Sequence, residues 1–386
     1  MANDSLKRDL VAYVRSLGFS RVGITSADPL NKEETFLKSW LAEGRAGDMA
    51  YLKREPERRA RPTELLPGAR SVIALAMSYS APSSSSPAVA GRGSSHAVQR
   101  MDSPPEAAEN DVQKGSIPDV PEGRLARYAW GWDYHAVIRK RLLAFTRYLE
   151  ALAPNERCKI FVDTGPLLER ALAHRAGLGF IGKNTMLITR GLGSWVFLAH
   201  VITTLDLPLD APDERSCGEC RLCIEACPTG AIAEPFVLDA RRCIAYLTIE
   251  LDGSINQELR GKTGGWVFGC DMCQEVCPHN KLKRAGERMS GGLKLKEILE
   301  INDDADFHKH FAGTALMRAG RAGLLRNACV AAANLGRNDL IPRLEKLSRN
   351  DSSPIVREYA AWALERLGGA PASPVPLASI PDPARS

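Results

Sequence analysis

The sequence predicts a mixed α/β fold in three parts: an α/β domain over residues 1–205, a small cysteine-rich module over 206–285 and a helical segment over 286–368, ending in a disordered tail over 369–386. Three observations predict it. Short β runs alternate with helical patterns over about the first 200 residues, as in an α/β layer. Eight of the ten cysteines fall between Cys217 and Cys277. Beyond them, two alanine-rich helices follow one plan, and 386 residues are too many for one ordinary domain.

Taken in order, residues 4–18 are amphipathic up to Gly18, and 21–25 is a short β run. SVIALAMSY at 71–79 has the length and composition of a buried strand. Residues 81–121 are rich in Ser, Pro and Gly without periodicity, the composition of a disordered insertion, and a surface loop absorbs such length cheaply. A helix is predicted over 134–153, stopping at Pro154, then a strand over 159–162, a helix over 166–176 and β runs over 186–189 and 195–203. Gly177, Gly179 and Gly182 spell G-x-G-x-x-G, but a helix precedes them and a β run follows. That reverses the context in which a phosphate meets a helix N-terminus, so a tight turn close to some ligand fits better.

The cysteines carry the chemistry. Cys217, Cys220, Cys223 and Cys227 are spaced x2, x2, x3 and followed by Pro228, the ferredoxin run in which three thiolates hold one cube and the fourth crosses to another. Cys270, Cys273 and Cys277, followed by Pro278, repeat its last three positions, and Cys243 is available for the missing one. The crossing rule gives Cys217, Cys220, Cys223 and Cys277 to one 4Fe-4S cluster, and Cys270, Cys273, Cys243 and Cys227 to a second. Structural zinc needs only paired C-x2-C knuckles and leaves the third cysteine and the Cys-Pro unexplained. Cys158 and Cys329 stand apart and read as buried small residues.

Hydrophobic residues at 44% and charged residues at 25% are ordinary for a soluble protein, and no apolar run reaches membrane-spanning length. The charged start is not a signal peptide, which points to the cytoplasm. A net charge of +5 permits an anionic partner without requiring one. In the tail, helices predicted over 327–335, 340–347 and 356–367 follow the pairing of HEAT-type repeats, too few to stand alone. Basic residues gather here and at Lys281, Lys283, Arg284, Lys294 and Lys296, forming either a solvated face or a track for RNA phosphates.

Several longer segments go further: RRARPTELLPGARSVI at 58–73, RYAWGWDYH at 127–135, FVDTGPLLERALAHRAGLGFIGKNT at 161–185, IEACPTGAI, and FGCDMCQEVCPHN at 268–280. Together with the repeat tail they resemble the epoxyqueuosine reductases, which complete the queuosine modification of the tRNA anticodon. The resemblance implies a nitroreductase-like domain that sandwiches a cobalamin against the ferredoxin-like module, HEAT-like repeats that dock tRNA, an unidentified low-potential electron donor and a monomer. It places Arg59 at the cofactor's polar periphery, with backbone around Asn184, Leu187, Asp271 and Met272 lining it. Asp133-Tyr134-His135 is similar to the D-x-H-x-x-G of other cobalamin enzymes, but position 138 is Ile. The implied cobalamin is therefore base-off, with His135 beside it at most.

The resemblance also makes Asp163 the proton donor. By residues alone Asp163 or Thr164, before Pro166, would cap a helix. An acid working at neutral pH needs a pKa raised by apolar burial, which a cobalamin face above a closed pocket would provide. Two other classes compete: a small-molecule cobalamin reductase, which has no use for a basic tail, and an electron carrier, which leaves the α/β domain unexplained.

Overall fold

The computed structural model describes residues 2–79, 123–280 and 292–368. The predicted insertion at 81–121, the tail at 369–386, and Lys281, Lys283 and Arg284 lie outside them. Among the described residues no helix is long and apolar enough to cross a membrane.

The centre of the N-terminal part is a four-stranded sheet in the order Arg21–Ser26, Ser71–Ser78, Val196–Thr203, Cys158–Phe161, antiparallel throughout. The alternation of strands and helices therefore gives an α+β layer without parallel crossovers. Ser71–Ser78 is buried on both faces because every second residue serves a different core. Ile73, Leu75 and Met77 meet Leu10, Val14, Ile138, Leu142 and Phe145 from the helices Ala2–Ser16 and Tyr134–Leu152. On the other face the small Ala74 and Ala76 lie with Ala173, Ala176 and Leu178. The chain comes so close there that a Cβ on Gly23 would sit 2.0 Å from the Ala176 carbonyl, so position 23 takes glycine. Gly18 ends the first helix at φ +85°.

Glu169–Arg175 is shorter than the predicted 166–176 helix, because 163–167 forms bends. Gly179–Ile181 and Leu187–Thr189 pair as a hairpin around the glycine-rich turn, the strand–turn setting read above.

The cysteine module is built from one-turn helices, Leu222–Glu225 and Met272–Glu275, each inside a cysteine run. A second sheet joins it to both flanking parts. In it Gly123–Leu125 lies between the parallel strand Trp266–Phe268 and the antiparallel strand Gly292–Leu293. Leu125, Val267, Phe268 and Leu293 share one core with the C-terminal helices.

Those helices are Gly320–Asn334, Ile341–Asn350 and Pro354–Gly368. The first begins seven residues before its predicted start. It is buried nearly all round, so it has little amphipathic signal. Asn327 Nδ2 donates to the carbonyls of Thr248 (2.8 Å) and Val267 (2.9 Å). The helical tail thus packs onto the module, as a two-unit repeat must. Cys329 is buried, whereas Cys158, at the start of an edge strand, is only half-buried.

Candidate active site

Asp163 follows strand Cys158–Phe161 in a left-handed backbone conformation, φ +54°. It caps nothing: the next helix begins at Glu169 with Leu168 in the cap position, which overturns the capping alternative. Its carboxylate accepts a hydrogen bond from Tyr134 Oη (2.7 Å) and lies 3.4 Å from His135 Nε2. Both partners come from the first turn of Tyr134–Leu152, which Asp133 caps by accepting from His135 N–H at 2.9 Å. Asp133 also lies 2.7 Å from His135 Nδ1. The imidazole therefore lies between two carboxylates, bonded to Asp133 on its Nδ1 side, while its buried Nε2 approaches Asp163 without a hydrogen bond among the described residues.

The electrostatics differ from the expectation. The neighbouring His135 imidazole holds Asp163 below the usual carboxylate range, burial opposes it, and the hydrogen bond from Tyr134 adds to the lowering. The side chain is 61% exposed, so the apolar burial that would raise it is incomplete. For His135, burial works against the charge, but Asp163 and Asp133 outweigh it and the imidazole is raised. Burial pushes the Tyr134 phenol far up, helped by Asp163, so it stays a donor.

Tyr134 was not singled out from the sequence. Its ring stacks on Phe197 (4.3 Å) and His135 (4.1 Å), and meets Tyr128 edge-on at 6.1 Å. Tyr128 in turn lies 6.1 Å from Phe268, just before Cys270. An aromatic seam thus runs from the acid to the cysteine module.

The other predicted residues fall around this seam with unequal offers. Arg59 donates from Nη2 to the Tyr51 carbonyl (2.7 Å), while its buried Nε has no partner among the described residues. Arg127 Nε is likewise buried and unpartnered, with its guanidinium 4.6 Å above the Trp195 ring. Asn184 spends its side chain on Cys273 O (3.3 Å) and Met186 N (3.2 Å), and Leu187 is sunk in the small-residue core. Asp271 is buried, accepts from Arg127 N at 2.8 Å, and burial pushes it up to about 6. Met272 takes a contact from Arg124 at 3.8 Å. Asn184, Leu187 and Asp271 can therefore offer backbone to a ligand, and the arginines can offer donors. Unpaired buried donors suit a large group rimmed with amide acceptors.

The cysteines form two nests. Cys217, Cys220, Cys223 and Cys277 line one cavity with Lys183, Asn184 and His279. Burial raises Cys273, and after burial the thiols of Cys243 and Cys227 act on it most; Cys270 is raised by burial and also feels Cys243 and Cys273. Cys217, Cys220, Cys223 and Cys277 are one of the two sets the crossing rule assigned. Lys183 Nζ donates to Gly218 O (2.6 Å) and Cys220 O (2.9 Å), and Asn184 reaches Cys273, so the turn after Gly182 touches both nests. Among the described residues no three His, Cys, Asp or Glu side chains converge closely enough for a single ion.

The tail's positive charge is mostly spent internally. Arg318 pairs with Glu250, Arg321 with Asp351 and Arg337 with Asp339, while Arg326 is buried among carbonyls. Lys294 and Lys296 face Glu297 (3.0 Å) and Glu300 (3.9 Å).

Residues 216–280 match the 4Fe-4S double cluster binding domain and 315–367 the HEAT-like repeat. With its acidic, aromatic site beside two cysteine nests, the chain is an iron–sulfur oxidoreductase. Residues 59–164 match the model described as "Epoxyqueuosine reductase QueG, DUF1730". Epoxyqueuosine reductase of Xanthomonas campestris is 40% identical over 93% of this chain and 97% of its own, and that of Escherichia coli K12 is 37% identical over 94% and 89%. A crystal structure of epoxyqueuosine reductase with an epoxyqueuosine-modified tRNA-Tyr stem loop superposes with a TM-score of 0.80 at 33% identity, covering 95% of this chain and 91% of that one. The chain belongs to the epoxyqueuosine reductase family. That sets aside the small-molecule reductase and the electron carrier.

Proposed function

We propose that the chain reduces the epoxide of epoxyqueuosine at the tRNA wobble position to the alkene of queuosine, with Asp163 as proton donor. One observation carries the assignment of the acid: the carboxylate of Asp163 is held by Tyr134 and His135 at one end of the aromatic seam whose other end meets the cysteine module. The reaction removes one oxygen as water and consumes two electrons and two protons. Cys217, Cys220, Cys223 and Cys277 would hold one 4Fe-4S cluster, and Cys227, Cys243, Cys270 and Cys273 the other. Arg59 and Arg127, with the backbone at Asn184, Leu187, Asp271 and Met272, would hold a cobalamin in a nitroreductase-like domain. When bound, the cobalamin supplies a low-potential metal centre for the epoxide carbon and the clusters supply single electrons.

The chain's own residues do the rest. The open carboxyl is held ionised by its donors, and an RNA loop covering it strengthens the burial that already pulls its pKa upward. His135, raised and sharing that carboxylate, returns the proton that Asp163 gives away. Tyr134 stays protonated and keeps the carboxyl aimed. The reaction takes place in the cytoplasm, on a monomer fed by a separate electron donor.

The test is anaerobic reconstitution with iron, sulfide, a corrinoid and a strong reductant, followed by incubation with an epoxyqueuosine-bearing stem-loop. Mass spectrometry of the digested RNA should record loss of one oxygen. Unchanged RNA with full cofactor loading would refute the assignment.

A further inference from the structure

Asp163 is gripped from two sides. Tyr134 holds its carboxylate, with His135 Nε2 3.4 Å away, and its backbone N–H donates to Glu169 Oε1 at 3.0 Å. Left-handed backbone is costly for a residue with a Cβ, on the order of 1–2 kcal/mol, and the bends over 163–167 add no ladder of hydrogen bonds to offset it. A hydrogen bond from the backbone N–H to a side-chain oxygen, worth about 0.5–1.5 kcal/mol, offsets much of that cost.

Glu169 is itself anchored. Its side chain is only 14% exposed and lies 3.6 Å from Nδ1 of His200. His200 is fully buried on Val196–Thr203, opposite Phe161, two residues before Asp163. Neither ring nitrogen has a hydrogen-bond partner among the described residues, which is unusual for a buried imidazole. An imidazole placed there backs the Glu169 carboxylate and stops it retreating into the sheet.

We infer that Glu169, backed by His200, is a positioning residue that holds the Asp163 turn so that its carboxyl meets Tyr134 and His135. It acts through the backbone of Asp163 and not on substrate. The inference rests on the reading of Asp163 as the acid and names what sets that acid in place. An acidic residue in the first turn of a helix has a plain alternative role, favouring the helix dipole, which needs the charge but not the reach.

Glu169→Asp separates the two roles, because it keeps the first-turn charge and shortens the side chain by a methylene. Glu169→Gln keeps the reach and an acceptor oxygen. NMR titration of the cofactor-free protein reads the geometry through the His135 ring, and turnover of the loaded enzyme reads its use. In Glu169→Asp the His135 midpoint should fall toward that of an unpaired histidine. Its kcat should drop roughly tenfold to a hundredfold, the effect of a small misplacement, with KM for the stem-loop within twofold of wild type. Glu169→Gln should restore both. Wild-type titration and kcat in Glu169→Asp, or a Glu169→Gln as impaired as Glu169→Asp, would overturn the inference. A shifted His135 midpoint with unchanged turnover would instead leave the positioning standing and remove the reading of Asp163 as the acid.

Discussion

At the scale of single residues, the site is a set of charges held in tension. Asp163 is lowered and His135 raised by the same contact, so each should report the other's removal. For Asp163 the lowered pKa adds stability at neutral pH, which is lost as pH falls through the folded value. For His135 the raised pKa adds stability below about 6.5, which is lost as pH rises through the folded value. Asp163→Asn should leave the protein folded with its full iron content. It should cut turnover by about 10²–10⁴, the usual worth of a positioned acid, and lower the His135 midpoint in an NMR titration. Near-normal turnover would return Asp163 to a structural role. The sequence pointed to Asp163 through its resemblance to a family, and expected apolar burial under a cobalamin to raise it. In this structure Tyr134, which donates to the carboxylate, and the adjacent His135 imidazole lower it instead. Tyr134 was hidden for a related reason: beside a histidine in a helix start it reads as one more aromatic, until folding brings 163 back to it.

At the scale of elements, the two cysteine runs were fully legible because metal spacing is a covalent matter of loop length. Cys243 lies outside both runs and reaches the second nest from the N-terminus of the helix Ile244–Ile249. Cys243→Ala should lower iron from about eight to about four per chain while one cluster persists. Retention of all the iron would refute its assignment. The C-terminal helices were legible in kind but not in extent, since Gly320–Asn334 is buried on every side and its periodicity is erased. Its charged residues misled in the same way, because a basic residue counted in the sequence is presumed to face water. Arg326 does not. Nη1 donates to Leu251 O (2.6 Å) and Gly253 O (2.7 Å), and Nη2 donates to Leu247 O (2.6 Å). Arg326→Met would strand those carbonyls and should cost about 3 kcal/mol in chemical denaturation. A loss below about 0.5 kcal/mol would mean that water replaces the guanidinium there.

At the scale of the whole molecule, several tail arginines are already paired with acids or carbonyls, two of them, Arg321 and Arg326, in the core. We therefore predict that reversing Lys281, Lys283 and Arg284 weakens binding of an anticodon stem-loop and flattens its salt dependence, in proportion to the phosphates released. Reversing Lys294 and Lys296, which already face acids, should do less. An equal effect of the two sets in a binding titration would show that the paired lysines also meet phosphate. The strands of the central sheet follow local patterning, though their antiparallel order does not, and the second sheet could not be read, because its three strands are only two or three residues long and come from distant parts of the chain. That sheet has a consequence in time. Gly123–Leu125 leaves the ribosome early, whereas its partners Trp266–Phe268 and Gly292–Leu293 arrive about 140 and 165 residues later. At about 5–20 residues per second the strand waits on the order of ten seconds or more with both edges open. The N-terminal half therefore cannot finish as an independent unit during synthesis. The second cysteine set is in the same position: Cys227 and Cys243 emerge before Cys270 and Cys273, so its last thiols arrive close behind the strand Trp266–Phe268 and no complete set of ligands exists before then.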